Sequence, residues 1–195
     1  GPAAVKALDF WIGLKKFCPP GAETFYFSES LTAFQEGKVA TAMNWFAFMP
    51  GLVKPEQNKF ADKTGYFVVP KGPAGRYISL GGQGLSVSAY SKNQEDAKKF
   101  AAWFSKEDTQ KKWVALGGLT ANKKVSATDE FKKANPYNET FSGSVQYLKD
   151  FYNTPEYTEL LKTSQDELSA AITGAKTSKA ALDAIAEGHA QGIKK

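Results

Sequence analysis

Helical periodicity runs through most of the second half of the chain, and glycine or proline interrupts it at intervals of about one helix length. The segment after a capping Ser91 has apolar residues at the i, i+3, i+4 and i+7 positions of an amphipathic helix, namely Ala97, Phe100, Ala101 and Phe104. Phe100, Phe104 and the neighbouring Trp103 are therefore predicted to be core. The same reasoning predicts helices over 3–17, 28–34 with Ser28 as cap, 107–116, a short piece before Pro136, 139–151, 155–172 and 178–190.

Strand-like runs are confined to the first half of the chain. The run "KVATAMNWF" predicts a buried strand that ends in an aromatic loop, and "GYFVVPKGPAGRYISL" predicts two strands around a Pro/Gly turn. The chain shows no internal repeat of 20 to 50 residues. Few strands among many helices therefore predict a layered α/β lobe.

The charge distribution argues against a nucleic-acid partner. The net charge of +5 comes from 25 basic residues, with Arg76 as the one arginine, against 20 acidic residues spread through the same segments. Nucleic-acid surfaces need clustered basic side chains, whereas these lysines alternate with acids along helices. The chain has no apolar run long enough to span a membrane, and its first residues do not form a basic region followed by an apolar one, as in a signal peptide. We expect any export signal to have been removed.

Residues that could carry catalysis or bind a metal are sparse. A single cysteine, Cys18, allows no internal disulfide and no thiolate metal cluster. The one histidine, His189, has no neighbouring ligand or nucleophile in the sequence and is predicted to be a surface residue. Carboxylate pairs such as Asp166 and Glu167 lie in lysine-rich helical segments and are predicted to be solvated. No metal, cofactor or enzymatic activity is predicted.

The stretch Gly81-Gly82-Gln83-Gly84 resembles a phosphate-binding loop only in part. Val87 stands where the dinucleotide fingerprint needs its third small residue, and no Gly-Lys-Ser/Thr follows as in a P-loop. The glycines therefore indicate backbone freedom, which suits a bend in the chain or a close approach of a ligand to the main chain.

The aromatic residues Trp45, Phe46 and Phe48 allow two interpretations. They could fill the core, as aromatics in α/β folds often do. They could instead contact a ligand, since open α/β sheets bind ligands where strands end. Aromatic faces match the C–H face of a sugar ring, and amides such as Asn44 and Gln83 can donate to and accept from hydroxyls.

Four segments in a fixed order resemble the extracellular solute-binding proteins of ABC importers, in the sugar-binding group similar to maltose-binding protein. They are "AFQEGKVATAMNWF", "LGGQGLSVSAYSKNQEDAKKFAAWFSKEDTQKKWVALGGLTANKKV", "NPYNETF" and "TPEYTELLKTSQDELSAAITGAKTSKAALDAIAEG". The resemblance implies the C-terminal portion of a periplasmic-binding-protein-like, two-lobe α/β fold, with a mixed sheet flanked by helices. The family's N-terminal half would be missing from this chain.

The family's chain path implies how the segments would divide between the lobes. Residues 1–80 would belong to the second lobe, 81–84 would form a hinge crossing, 85–131 would belong to the first lobe, and 132–195 would return to the second. Permissive glycines suit a hinge because they absorb changes in backbone angles on closure.

The resemblance also implies a function and a set of ligand-binding residues. The protein would capture a sugar or polyol outside the cytoplasmic membrane, in the periplasm or on the extracellular face, and deliver it to an ABC permease without catalysis or cofactor. The alternatives are a binder of another small polar solute, a carbohydrate-active hydrolase or transferase, and a stand-alone interaction module. Relatives often carry an aromatic where Gln83 stands, which favours a smaller or more polar ligand. The implied ligand-binding residues are Asn44, Trp45, Phe46, Gly82, Gln83, Tyr152 and Asn153.

Overall fold

The computed structural model describes residues 1–150 and 154–193. Contacts divide the chain into two compact units. The terminal unit comprises Gly1–Phe34, Lys38–Ala42 and the described part of Tyr152–Lys195, and the central unit comprises Gln35–Gly37 and the described part of Met43–Phe151. The predicted lobe boundaries, which refer to a longer protein, stay a prediction.

The terminal unit is helical. Its helices are α1 (Pro2–Leu14), α2 (Phe27–Gln35, whose last residue falls in the central unit), α8 (Tyr157–Ile172) and α9 (Ser178–Gly192). Leu8, Ala171 and Ala181 are buried together where α1, α8 and α9 pack. Gly174 ends the α8 segment with a φ of 85°, in the left-handed region that glycine adopts without steric cost.

His189 belongs to α9, faces α8 and is half-buried, so the prediction of a surface histidine is wrong. Its Nε2 atom is 2.9 Å from Ser164 Oγ and 3.0 Å from the Leu160 carbonyl oxygen. The imidazole therefore links the two helices. The apolar spacing of each helix could not show this contact, because it joins residues 25 and 29 positions apart.

The central unit contains five shorter helices among its described residues. They are α3 (Gln94–Phe104), α4 (Glu107–Ala115), α5 (Lys123–Ser126), α6 (Asp129–Ala134) and α7 (Asn138–Ser144). Side chains cap two of them: Asn122 Oδ1 accepts from the backbone of α5 and Thr128 Oγ1 from that of α6. The core of the unit is formed by Val114, Val125 and Phe131, with Leu119 and Phe141 packed against them.

The sheet in the described residues is small and parallel. Strand β1 (Ile78–Ser79) pairs with β2 (Leu148–Lys149), with Ile78 opposite Leu148, and the Leu80 N–H donates to the Lys149 carbonyl at 2.8 Å. An isolated antiparallel bridge joins Gly72 and Gly75. The remaining connections include 3₁₀ turns at Lys15–Phe17, Ala22–Thr24, Phe46–Gly51, Ala61–Lys63 and Val145–Tyr147.

Most of the predicted strands are therefore wrong for the described chain. The residues of "KVATAMN" form bends and irregular chain, and "GYFVVP" is likewise outside any ladder. Apolar and β-branched residues predict an extended chain that is partly buried, but a strand also needs a hydrogen-bonded neighbour. Of the residues predicted to form strands, only Ile78–Ser79 pairs with another strand in the part of the chain that the structure describes.

Three helix predictions also need correction. Ser28 lies inside α2 and is not its cap; instead, the Glu29 carboxylate accepts from the Tyr26 N–H at 2.9 Å. The helix predicted over 139–151 ends at Ser144 and gives way to a 3₁₀ turn and β2. Phe100 and Trp103 are 54% and 50% exposed, so they are not core in the described chain.

Candidate functional site

Trp45 is the most exposed aromatic residue of the predicted ligand loop. Its backbone is extended, with φ −71° and ψ 147°, and it precedes the 3₁₀ turn Phe46–Gly51. The Asn44 Oδ1 accepts from the Trp45 N–H at 2.8 Å, and the Phe48 N–H donates to the Trp45 carbonyl at 3.0 Å. The backbone at Trp45 is thus held on both sides, while 44% of the residue's surface stays exposed.

Phe46 packs against the core of the central unit. Its ring meets Phe141 edge to face at 5.3 Å between centroids, and Phe141 in turn meets the fully buried Phe131 at 6.0 Å. Such edge contacts stabilise packing beyond the area that they bury. Of the two aromatics predicted to bind a ligand, Phe46 therefore packs on the core and Trp45 retains the larger accessible surface; the ligand-binding role of both stays a prediction.

The glycine stretch meets the aromatic loop at one residue. A Cβ atom placed on Gly81 would lie 2.5 Å from Trp45 Cδ1 and 2.6 Å from Trp45 Nε1, so the indole edge rests directly on the Gly81 backbone. The stretch begins at a fixed point, because β1 and the Leu80 hydrogen bond tie its start to β2. A Cβ atom on Gly82 would have open space around it, and Gln83 is exposed.

Asn58 supports the chain beyond the aromatic turn. The residue is 1% exposed, and its Nδ2 donates to the Leu52 carbonyl at 2.8 Å and to Thr64 Oγ1 at 2.9 Å. Its Oδ1 accepts from the Phe60 N–H at 3.1 Å. One buried amide therefore fixes three points of an irregular loop, which satisfies backbone groups that would otherwise be buried without partners.

The structure thus brings Trp45 together with the glycine stretch at Gly81, which is not among the predicted ligand-binding residues. Tyr152 and Asn153 lie outside the described residues. Gly81 was indicated only by its place in the glycine stretch. Asn58 had no signal in the sequence, because an asparagine in a polar loop is ordinarily exposed.

The carboxylates considered for catalysis in α8 are engaged by lysines. Lys162 contacts Asp166, and Lys176 Nζ lies 2.6 Å from Glu167. Among the described residues, no three His, Cys, Asp or Glu side chains cluster as metal ligands. No helix in the described ranges is both long enough and apolar enough to span a bilayer.

Burial raises the pKa of two neighbouring tyrosines of the central unit, Tyr66 and Tyr137. The Tyr66 hydroxyl is buried and has no hydrogen-bond partner among the described residues. Burial raises the pKa of this hydroxyl, and the nearby Tyr137, whose ring centroid is 5.8 Å away, raises it further. Tyr66 therefore stays neutral at physiological pH.

Comparison with known proteins places the chain in a family. The sequence profile of the bacterial extracellular solute-binding proteins matches residues 1–111, more than half of the chain. A protein of Pseudomonas aeruginosa named "Mannitol-binding protein" is 29% identical over 147 residues, which cover 74% of this chain and 32% of that protein. A "Probable amino-acid ABC transporter periplasmic-binding protein" of Sinorhizobium fredii is 25% identical over 182 residues, covering 90% of this chain and 40% of that protein.

A solved structure extends the match to nearly the whole chain. The structure described as "Maltose bound T. maritima MalE3" aligns with a TM-score of 0.84 at 29% identity, covering 96% of this chain and 49% of that one. The alignment confirms the predicted periplasmic-binding-protein-like α/β class. The chain spans 32% and 40% of the two curated relatives and about half of the solved structure. Profile, relatives and structure agree, and the chain belongs to the bacterial extracellular solute-binding proteins.

Proposed function

We propose that this chain forms part of the solute-binding component of an ABC importer and that it captures a sugar or a polyol. The observation that carries the proposal is the juxtaposition of Trp45 with the glycine stretch. The accessible indole of Trp45 contacts the backbone of Gly81, which has no side chain. The exposed Gln83 follows two residues after Gly81 and supplies an amide. An aromatic face beside amide groups suits a solute that has both apolar C–H and hydroxyl surfaces.

The absence of charge from the two segments supports a neutral solute. Neither 43–51 nor 79–91 contains an acidic or basic residue. An amino acid carries a carboxylate and an ammonium group at neutral pH, and burying them requires charged or strongly dipolar partners. Of the solutes in the relatives' names, mannitol and maltose therefore fit these segments better than an amino acid does.

The full protein would act by closing two lobes around the solute outside the cytoplasmic membrane. The chain spans about half of its structural match, and we propose that a further N-terminal portion completes the first lobe. Gly81–Gly84 would form the hinge crossing between residues 1–80 and 85–131. The closed form would then be recognised by the transmembrane subunits of an ABC permease, in the periplasm or on the extracellular face.

Calorimetry on the full-length protein tests this proposal. The panel contains maltose, glucose, mannitol and glutamate, and we expect binding heat with at least one neutral sugar or polyol and none with glutamate. Trp45→Ala should weaken that binding about 10-fold, which corresponds to about 1.4 kcal/mol and the loss of one stacking contact.

Trp103→Ala is the matched control, because Trp103 is equally exposed but lies on α3, outside the two segments. It should leave the affinity unchanged. Binding of glutamate alone, or equal affinities of the Trp45→Ala variant and the parent protein, would reject the proposed site.

A further inference from the structure

We infer that Gly81 is a positioning residue, whose missing side chain sets the orientation of the Trp45 indole and thereby the preference for cyclic over open-chain solutes. The inference rests on the proposed function, since it assigns a specificity determinant to the same site. It begins with the contact between the two residues, where a Cβ atom would overlap the indole at 2.5 and 2.6 Å. Separations under about 3 Å between such atoms do not occur without a shift of one of them.

The backbone conformation does not explain why residue 81 is glycine. The glycines with left-handed φ values are Gly21, Gly37, Gly75, Gly117 and Gly174, and Gly81 is not among them. An alanine could therefore adopt the same backbone angles. What Gly81 provides is space, and the Trp45 ring occupies that space.

A methyl group at position 81 would move the indole and not the backbone. The backbone next to Gly81 is held by the parallel pair β1–β2 and by the Leu80 hydrogen bond. Trp45 is 44% exposed, so part of its surface borders solvent. Rotation of an exposed side chain requires less free energy than breaking a parallel strand pair, so the ring gives way.

The displaced ring would discriminate between solutes by their rigidity. A pyranose presents its C–H face as one fixed plane, which must lie parallel to the indole for stacking. An open-chain polyol rotates about its C–C bonds and can follow a tilted ring. The structure therefore assigns to Gly81 a contribution to cyclic-sugar affinity that open-chain polyols do not share.

The test compares Gly81→Ala with Gly65→Ala, which adds the same methyl group at a glycine of the central unit outside 43–51 and 79–91, where nothing lies within 4 Å. The first readout needs no solute. In a ¹H–¹⁵N spectrum of the full-length protein, with the Trp45 indole signal assigned by its loss in Trp45→Phe, Gly81→Ala should shift that signal and Gly65→Ala should leave it in place. An unshifted Trp45 signal in folded Gly81→Ala would overturn the inference, whatever the solute data show.

The second readout is affinity by calorimetry. Gly81→Ala should lower the affinity for a cyclic sugar at least 5-fold and that for mannitol less than 2-fold, and Gly65→Ala should change neither. In a Trp45→Ala background, Gly81→Ala should have no further effect, because the group that it displaces is gone. Equal losses for cyclic sugar and mannitol, or a full additional loss in the Trp45→Ala background, would overturn the specificity role.

The two readouts separate the inference from the proposed function. A shifted indole signal together with unchanged affinity in Trp45→Ala would reject stacking on Trp45, and with it both the proposed site and the specificity role. If Gly81→Ala alone fails to fold, the Gly81→Ala/Trp45→Ala double variant should fold, since the overlap is relieved. Failure of the double variant to fold would assign Gly81 to the stability of the backbone and overturn the inference.

Discussion

Replacement of Asn58 by alanine should loosen the loop that follows Trp45. The amide makes three side-chain hydrogen bonds, to the Leu52 carbonyl, to Thr64 Oγ1 and from the Phe60 N–H. It is 1% exposed, so water has no route to replace those partners without local opening. Alanine would leave the carbonyl of the buried Leu52 and the part-buried Phe60 N–H without these partners.

The expected loss of stability is about 3 kcal/mol. Each net hydrogen bond contributes about 1 kcal/mol, and a buried group left without a partner costs about 1 to 3 kcal/mol. Thr64→Val provides a graded control. It removes one of the three bonds to Asn58 and the bond that Thr64 donates to the Phe60 carbonyl, at a partly exposed site where water can substitute. Its expected loss is about 1 kcal/mol.

Urea unfolding of the full-length protein measures both variants, and native-state hydrogen exchange localises the effect. The Phe60 amide should lose its protection in Asn58→Ala and keep most of it in Thr64→Val. If Asn58→Ala reduces the free energy of unfolding by less than 1 kcal/mol, or by no more than Thr64→Val does, then the buried amide does not organise the loop.

Three further predictions concern the central unit. The raised pKa of Tyr66 means that the folded state holds this proton more tightly than the unfolded state, so the stabilisation is complete below pH 10 and is lost as pH rises further. Thermal melts at pH 7 and above pH 10 test this. Tyr66→Phe should lose less stability at the alkaline pH than the parent protein does, and it should be no less stable than the parent protein at pH 7. Gly118→Ala should destabilise the protein by about 1 to 3 kcal/mol in urea, because its Cβ would lie 2.2 Å from the Trp113 ring, whose Nε1 donates to the Leu119 carbonyl. Gln83→Ala should weaken solute binding about 5-fold by calorimetry, the equivalent of about one hydrogen bond, without changing the melting temperature.

Each of these has an outcome that would count against it. If Tyr66→Phe loses stability with rising pH as steeply as the parent protein, other groups dominate the loss of stability above pH 10. Gly118→Ala is matched by Gly82→Ala, a glycine with open space around it, and equal stabilities of the two variants would contradict the packing argument. Unchanged affinity in Gln83→Ala would remove this amide from the site.

The helices were largely predictable from the sequence, because their determinants are local. Apolar spacing and glycine stops located α1, α4, α8 and α9 to within a few residues. The strands were not, since a ladder depends on a partner elsewhere in the chain. Nothing near Ile78 in the sequence shows that Leu148 lies opposite it. The same residue pattern that predicts a strand also fits an extended chain that pairs with no other strand.

The candidate site was predictable in its segments but not in its contacts. The aromatic run and the glycine stretch were both found from residue type, yet their meeting point is Gly81, which lies 36 residues after Trp45. Which aromatic faces the core was also open. The structure separates the two residues, because Phe46 begins the 3₁₀ turn and packs on Phe141, whereas Trp45 precedes the turn in an extended backbone.

The parallel pairing of β1 with β2 has a consequence for the order of folding. The pair closes a loop of about 70 residues, and closing a flexible loop of that length costs about 4 kcal/mol of chain entropy, beyond a constant term, before any contact is gained. Such distant pairings form late in folding. During synthesis, Trp45 and Gly81 leave the ribosome well before Leu148 does, so the glycine stretch gains its fixed start only when the later helices of the central unit are in place. The proposed solute site should therefore be among the last parts of the unit to acquire protection in a pulse-labelling exchange experiment.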